Sequence, residues 1–156
     1  MHGLINRALE DFLRATYGGE TWRDISEQLD LGHDSFEPMF VYDDAVTHRL
    51  VAQAATNLNK PREALLEDFG TYLVANPNSE RVRRLLRFGG VDYLDFLHSL
   101  EDLRGRARLA VPDLDLPVLR LSDEGDGNFA VTCESPHEGF GHVVLGILRA
   151  IADDYG

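Results

Sequence analysis

Cysteine is nearly absent from this 156-residue chain, where Cys133 stands alone. A single thiol forms no internal disulfide and cannot supply a cysteine-based zinc cage, and it fits a reducing compartment. No stretch approaches the ~18 apolar residues of a membrane span. The N-terminus, Met1-His2-Gly3-Leu4-Ile5-Asn6-Arg7, lacks the apolar core of a signal peptide and runs into Glu10 and Asp11. A cytoplasmic protein is expected. Positive charge is scarce: 15 Lys and Arg face 27 Asp and Glu, for a net charge of −12. Such a surface repels phosphate backbones, so nucleic acid and anionic membranes are poor partners. Catalytic signatures are missing too. There is no Gly-rich phosphate loop, no serine nucleophile elbow and no His-rich metal helix. The adjacent pairs Asp43-Asp44 and Asp153-Asp154 point apart on a helix and suit capping or solvation better than acid/base work. No enzyme is expected.

What is present is a globular composition, 44% hydrophobic and 27% charged, long enough for one domain over 1–156 with a sizeable core. Leu4, Ile5, Ala8, Leu9, Phe12 and Leu13 recur at helical spacing and stop at Gly18-Gly19. Trp22, Ile25 and Leu29 mark a short second helix closing near Gly32. Ser35 to Tyr42, with Phe36, Met39, Phe40 and Val41 around Pro38, reads as a packed irregular turn or short helix. Asp43 and Asp44 are N-cap candidates for a helix carrying Val46, Leu50, Val51, Ala54 and Leu58. Pro61 opens another, with Ala64, Leu65, Phe69, Tyr72 and Leu73. Ser79 caps a segment through Leu85, Leu86 and Phe88. The best-defined helix holds Tyr93, Leu94, Phe96, Leu97, Leu100 and Leu103 and fades near Gly105. Two strands, 116–121 and 129–133, flank Asp123-Glu124-Gly125-Asp126-Gly127 as a hairpin turn. A last helix carries Val143, Val144, Ile147, Leu148 and Ile151. Helices, then a hairpin, then a helix make an α+β chain without repeat or linker.

Five segments together resemble one family. Met1-x-Gly3-Leu4-Ile5-Asn6-x-Ala8-Leu9-Glu10-Asp11-Phe12 with Tyr17-Gly18-Gly19-Glu20-x-Trp22 looks like the start of heme nitric-oxide/oxygen binding (H-NOX) domains. Leu66-Glu67-Asp68-Phe69-Gly70 resembles their mid-chain helix, and Phe96-Leu97-x-x-Leu100-Glu101-x-Leu103 the helix that holds the iron ligand. Leu116-Pro117 matches the proline that presses on the heme, and Gly146-Ile147-Leu148 the helix after the family's Tyr-x-Ser-x-Arg motif. The resemblance implies an H-NOX-like fold: a helical lobe and a lobe with a short antiparallel sheet around an apolar pocket. The family continues past its last helix into another strand pair, so an end at Gly156 implies an absent or trimmed pair.

By the same resemblance, heme b would be lined by Leu4, Ile5, Leu9, Leu73, Leu97 and Leu100, beside Pro117. The family's proximal histidine position is Arg104, a permanently charged group that cannot ligate iron normally. The propionate motif reads Cys133-Glu134-Ser135-Pro136-His137, keeping only Ser135 and losing a phenol and a cationic fork. The position of a distal tyrosine in some relatives is His142. That residue is either an axial ligand through neutral imidazole or a pocket histidine bonded to a backbone carbonyl. His98, six residues before Arg104, is turned about its helix and raised ~9 Å along the axis, so it is a rim histidine and the alternative ligand only if the helix shifts. His137 either pairs with a propionate or is exposed. Cys133 reads as a small buried residue, since neighbouring Glu134 disfavours a thiolate. Arg104, Arg106 and Arg108 form a small basic run that suits a helix end or an anion. His2, His33 and His48 share no metal-like spacing.

Two functions follow. One is a heme-binding sensor of a diatomic gas in bacterial signalling, with non-standard ligation. Apolar Leu9 and Leu73, where oxygen-binding relatives place polar groups, favour nitric oxide or carbon monoxide. Its partner by resemblance is a histidine kinase or a cyclic-di-nucleotide enzyme. The other is a heme-free H-NOX-like module for another small molecule or a signalling protein.

Overall fold

A computed structural model describes residues 3–76, 84, 91–110, 114, 116–135 and 139–155. The expected segment through Leu85, Leu86 and Phe88, and the candidate His137, lie outside the described residues. The chain divides into two compact units, residues 1–69 and 70–156.

The first unit is helical. Helix α1 (Gly3–Tyr17) and α2 (Gly19–Leu29) meet at Gly18, whose φ of 98° suits glycine. Helix α3 (Asp44–Leu58) follows, then the first turns of α4 (Arg62–Ala75). Of the two candidate caps at the start of α3, Asp43 acts: its carboxylate accepts from the Ala45 amide at 3.0 Å. Pro61 stands just before α4, its carbonyl accepting from Leu65 N at 3.1 Å. The apolar stripes converge on Leu9, Phe12, Leu13, Trp22, Ile25, Phe36 and Leu50, with Phe12 against Phe69 at 5.6 Å between ring centroids. Glu10 is buried yet fully engaged. Its carboxylate takes Arg14 Nε at 2.9 Å, the Ser35 hydroxyl at 2.9 Å and Phe36 N at 2.8 Å, which fastens the 30–42 loop to α1.

The 35–42 segment departs from the expectation of a packed turn. Phe36 is buried, but Met39, Phe40 and Val41 are exposed. Glu10 and Tyr42 hold the loop's base, and at its tip Phe40 keeps a tilted ring contact with Tyr42 at 6.4 Å while staying exposed.

The second unit begins with the last turns of α4. It continues through α5 (Tyr93–Ser99), a 3₁₀ turn (Leu100–Asp102) and α6 (Leu103–Ala110). The single helix expected to fade at Gly105 is thus tightened at 100–102 and carries on to Ala110, with Gly105 inside it. Strands β1 (Val118–Gly125) and β2 (Asn128–Glu134) pair antiparallel, Leu119 opposite Cys133 and Leu121 opposite Val131. The turn is shorter than expected. Only Asp126-Gly127 forms it, with φ of 55° and 79°, as a two-residue hairpin requires, and a register shift lies between Asp123 and Gly125. Backbone pairing therefore runs on through the acidic residues, whose side chains stay in water. Helix α7 (Phe140–Tyr155) closes the unit.

Its core gathers Val74, Phe96, Leu97, Leu100, Leu119, Val144 and Ile151, flanked by Tyr93, Val131, Cys133 and Leu148. Tyr93 donates its phenol proton to Leu148 O at 3.0 Å, so its polar tip at this core is satisfied by α7. Glu101 accepts from Leu121 N at 3.1 Å and ties the 3₁₀ turn to β1.

Candidate functional site

Strand alternation puts Val131 and Cys133 on one face of β2, and a 3.6-residue repeat puts His142, Leu145 and Leu148 along one side of α7. These faces bound a hollow of about 530 Å³, open to solvent on one side and lined by Val131, Cys133, Gly139, Gly141, His142, Val144, Leu145 and Leu148. The volume lies within the ~300–1,000 Å³ range of small-molecule and cofactor pockets.

A close helix crossing holds α7 in place. A Cβ on Gly70 of α4 would stand 2.1 Å from Val143 O, 2.9 Å from Ile147 N and 3.1 Å from Gly146 Cα. Only a glycine lets the two backbones approach this far. Its neighbours are the residues directly after His142, so the crossing sets where the imidazole stands.

His142 is half-buried, its amide donates to Gly139 O at 3.1 Å, and its side chain lines the hollow. Cys133 is half-buried on the facing strand, and burial pushes its thiol above the ordinary range. The thiol form therefore dominates at neutral pH, in keeping with the reading of Cys133 as a packing residue.

The other sequence candidates are dispersed. Leu97 and Leu100 are buried in the core against β1, so they do not line this hollow. The helix of Phe96 to Leu103 was expected along one side of a cavity. It packs into the hairpin through its apolar face and does not line the hollow between β2 and α7. Pro117 is buried at the entry to β1, Leu73 and Ser135 are half-buried, and Ser135 is engaged by a partner. In the first unit Leu9 is buried and Leu4 and Ile5 are half-buried on α1. His98 is exposed, its ring edge-on to Phe129 at 6.3 Å, and does not line the hollow. Arg104 is half-buried on α6 and engaged by a partner, as a cation in such a place must be. The sequence reading missed Val131, Val144, Leu145 and Leu148 as lining residues. The period-2 pair 131/133 and the 142/145/148 stripe were the signals for Val131, Leu145 and Leu148.

A heme requires an apolar hollow, an axial donor and partners for its propionates. Position 104 does not fit, since a guanidinium has no lone pair to give. The hollow offers an axial donor: among the described residues lining it, His142 carries an imidazole, a common heme-iron ligand. Among the described residues no cluster of three or more His, Cys, Asp or Glu could hold a bare metal ion, and no helix is long and apolar enough to cross a membrane.

The fold is similar to that of solved H-NOX proteins. One from S. oneidensis in the Fe(II)NO ligation state matches with a TM-score of 0.82 at 20% identity, covering 99% of this chain and 85% of that one. The unliganded Fe(II) protein from K. algicida matches at 0.81 and 17%. Among curated proteins, soluble guanylate cyclase 89Db of Drosophila melanogaster is 21% identical over 155 residues, 99% of this chain and 23% of that protein. Soluble guanylate cyclase gcy-35 of Caenorhabditis elegans is 28% identical over 156 residues, 97% of this chain and 22% of that protein. The chain thus spans less than a quarter of the curated relatives it matches. Residues 2–156 match the Haem-NO-binding (HNOB) family, and with that match over nearly its whole length the chain belongs to this family of heme-based NO/O₂ sensor domains, which sense rather than catalyse.

Proposed function

We propose that this domain senses nitric oxide or carbon monoxide through a heme b held by His142 from the hollow between β2 and α7. The observation that carries the reading is half-buried His142 lining an apolar hollow of cofactor size; by the resemblance of residues 96–103, the family's ligand position would fall on Arg104. Val131, Val144, Leu145 and Leu148 would pack against the macrocycle, Pro117 would press on it, and Ser135 would meet a propionate. A bound heme would supply the iron that takes up a diatomic gas. The protein's part is to exclude water and to offer no hydrogen-bond donor from Leu73, which disfavours oxygen relative to the other two gases. The family sits in signalling proteins, and the effector here would be a kinase or nucleotide cyclase, on the same chain or another.

The test is protein expressed with heme supplied, comparing wild type with His142→Ala and His98→Ala by heme content and Soret position. Loss or shift in His142→Ala, with His98→Ala like wild type, supports the assignment. An unchanged spectrum in His142→Ala refutes it. Wild type that takes up no heme favours the second reading, a heme-free module using the same hollow for another ligand; the substitution of Arg104 and of the propionate motif is what keeps that reading in play.

A further inference from the structure

Three consecutive large apolar residues, Met39, Phe40 and Val41, are 72%, 61% and 67% exposed on the first unit. Such a run on the surface of a soluble domain is a liability unless something covers it. The segment is also firmly held. Phe40 O accepts from Gly3 N at 2.6 Å, Glu37 O accepts from Phe40 N at 3.2 Å, and Glu37 N donates to the Tyr42 hydroxyl at 2.8 Å. Gly3 leaves no room for a Cβ, which would fall 2.1 Å from Glu37 O, so α1 and the loop are locked backbone to backbone. Below the tip, Tyr42 packs edge-on to Phe36 at 5.0 Å and against Phe40 at 6.4 Å. A rigidly presented apolar knob costs little ordering entropy on binding.

Its electrostatic setting narrows the partner. Exposed Asp34, Glu37, Asp43 and Asp44 flank the knob in sequence. Among the described residues no cation pairs with the carboxylates of Asp34, Glu37 or Asp43. The two arginines that reach the loop are spent at its base, Arg7 on Ser35, Phe36 O and Asp11, and Arg14 on Glu10 and Asp34 O. A second copy would bring the same four carboxylates and a further net charge of −12, and anionic lipid is repelled likewise. We infer that the Met39-Phe40-Val41 knob is a docking contact for a protein surface that joins an apolar depression to a basic rim.

The experiment uses the full chain and a labelled amphipathic helical peptide built only of leucine and lysine, with a serine/lysine peptide of equal charge as control, read by fluorescence anisotropy. The variant Met39→Ser/Phe40→Ser/Val41→Ser keeps the net charge and the backbone bonds of the loop. It should bind the leucine/lysine helix about tenfold or more weakly than wild type, while the serine/lysine peptide does not tell the two apart. Asp34→Asn with Glu37→Gln should reduce the salt sensitivity of binding. If the triple variant loses its helical circular dichroism, Met39→Ser alone replaces it and should show the same direction. Equal affinity of wild type and variant for the leucine/lysine helix, or no binding by wild type, overturns the inference. So does concentration-dependent dimerisation in sedimentation that the knob substitutions abolish. Knob-dependent co-sedimentation with phosphatidylcholine vesicles would assign the knob to lipid and overturn it too.

Discussion

Substituting Gly70 by alanine adds one methyl group where α4 crosses α7. The new carbon would stand 2.1 Å from Val143 O and 2.9 Å from Ile147 N, more than an ångström inside ordinary contact with the first. Both neighbours are backbone of a regular helix, so no side chain can swing aside. The helices must part, and the Val144 and Ile151 contacts of α7 with the core loosen. Overpacking of this kind costs about 1–3 kcal/mol, and the rigidity on both sides argues for the upper end. Alanine's better helix propensity returns about 1 kcal/mol. The net expectation is a destabilisation of about 2 kcal/mol, roughly thirtyfold in the folding constant. Urea denaturation of the full chain measures it, with Gly105→Ala as control. Gly105 is exposed on α6 and its Cβ would meet nothing within 4 Å, so that variant should gain about 0.5–1 kcal/mol. A Gly70→Ala protein as stable as wild type would refute the crossing geometry. Because Val143 follows His142, the same variant should also shift the Soret band of heme-loaded protein.

Glu10→Ala removes the acceptor for Ser35, Phe36 N and Arg14 and should cost about 3 kcal/mol, since buried donors lose a charged partner; a loss under about 1 kcal/mol in urea titration would show that water replaces it. Burial holds the Tyr93 phenol above its ordinary pKa of 10.0, so the unfolded chain ionises first. Stability is then complete below pH 10.0 and falls as pH rises past it, and Tyr93→Phe should flatten that alkaline limb in melts at stepped pH. Cys133, with its thiol raised by burial, should react with iodoacetamide at neutral pH more slowly than free cysteine, and an equal rate would contradict the half-buried placement. If position 104 answers to the family's ligand, as the resemblance implies, Arg104→His should raise hemin affinity in titration; no gain would mean that α6 does not present this position to heme.

Periodicity and caps were enough for most elements. The stripe of α1, the Asp43 cap, the glycine stop at Gly18 and the alternation through 129–133 depend on near neighbours alone, and each appears where local chemistry puts it. The hairpin's extent was misjudged because apolar content ended at Leu121 while backbone pairing, indifferent to side chains, ran on to Gly125. The 3₁₀ turn at Leu100–Asp102 was likewise invisible, since its i and i+3 spacing leaves the apolar pattern of an α-helix nearly unchanged.

Family membership could be read from residue identities in order, because side-chain chemistry belongs to the residue. Which groups share a hollow could not. Leu97 and Leu100 sit in the core of the second unit, while Leu148 both packs against that core and lines the hollow with Leu145. The approach of Gly70 to α7 and the exposure of Met39, Phe40 and Val41 were decided only by tertiary packing. The amphipathic pattern says that an apolar face needs covering. Which element covers it, and which face is left uncovered, depends on contacts between residues far apart in the chain.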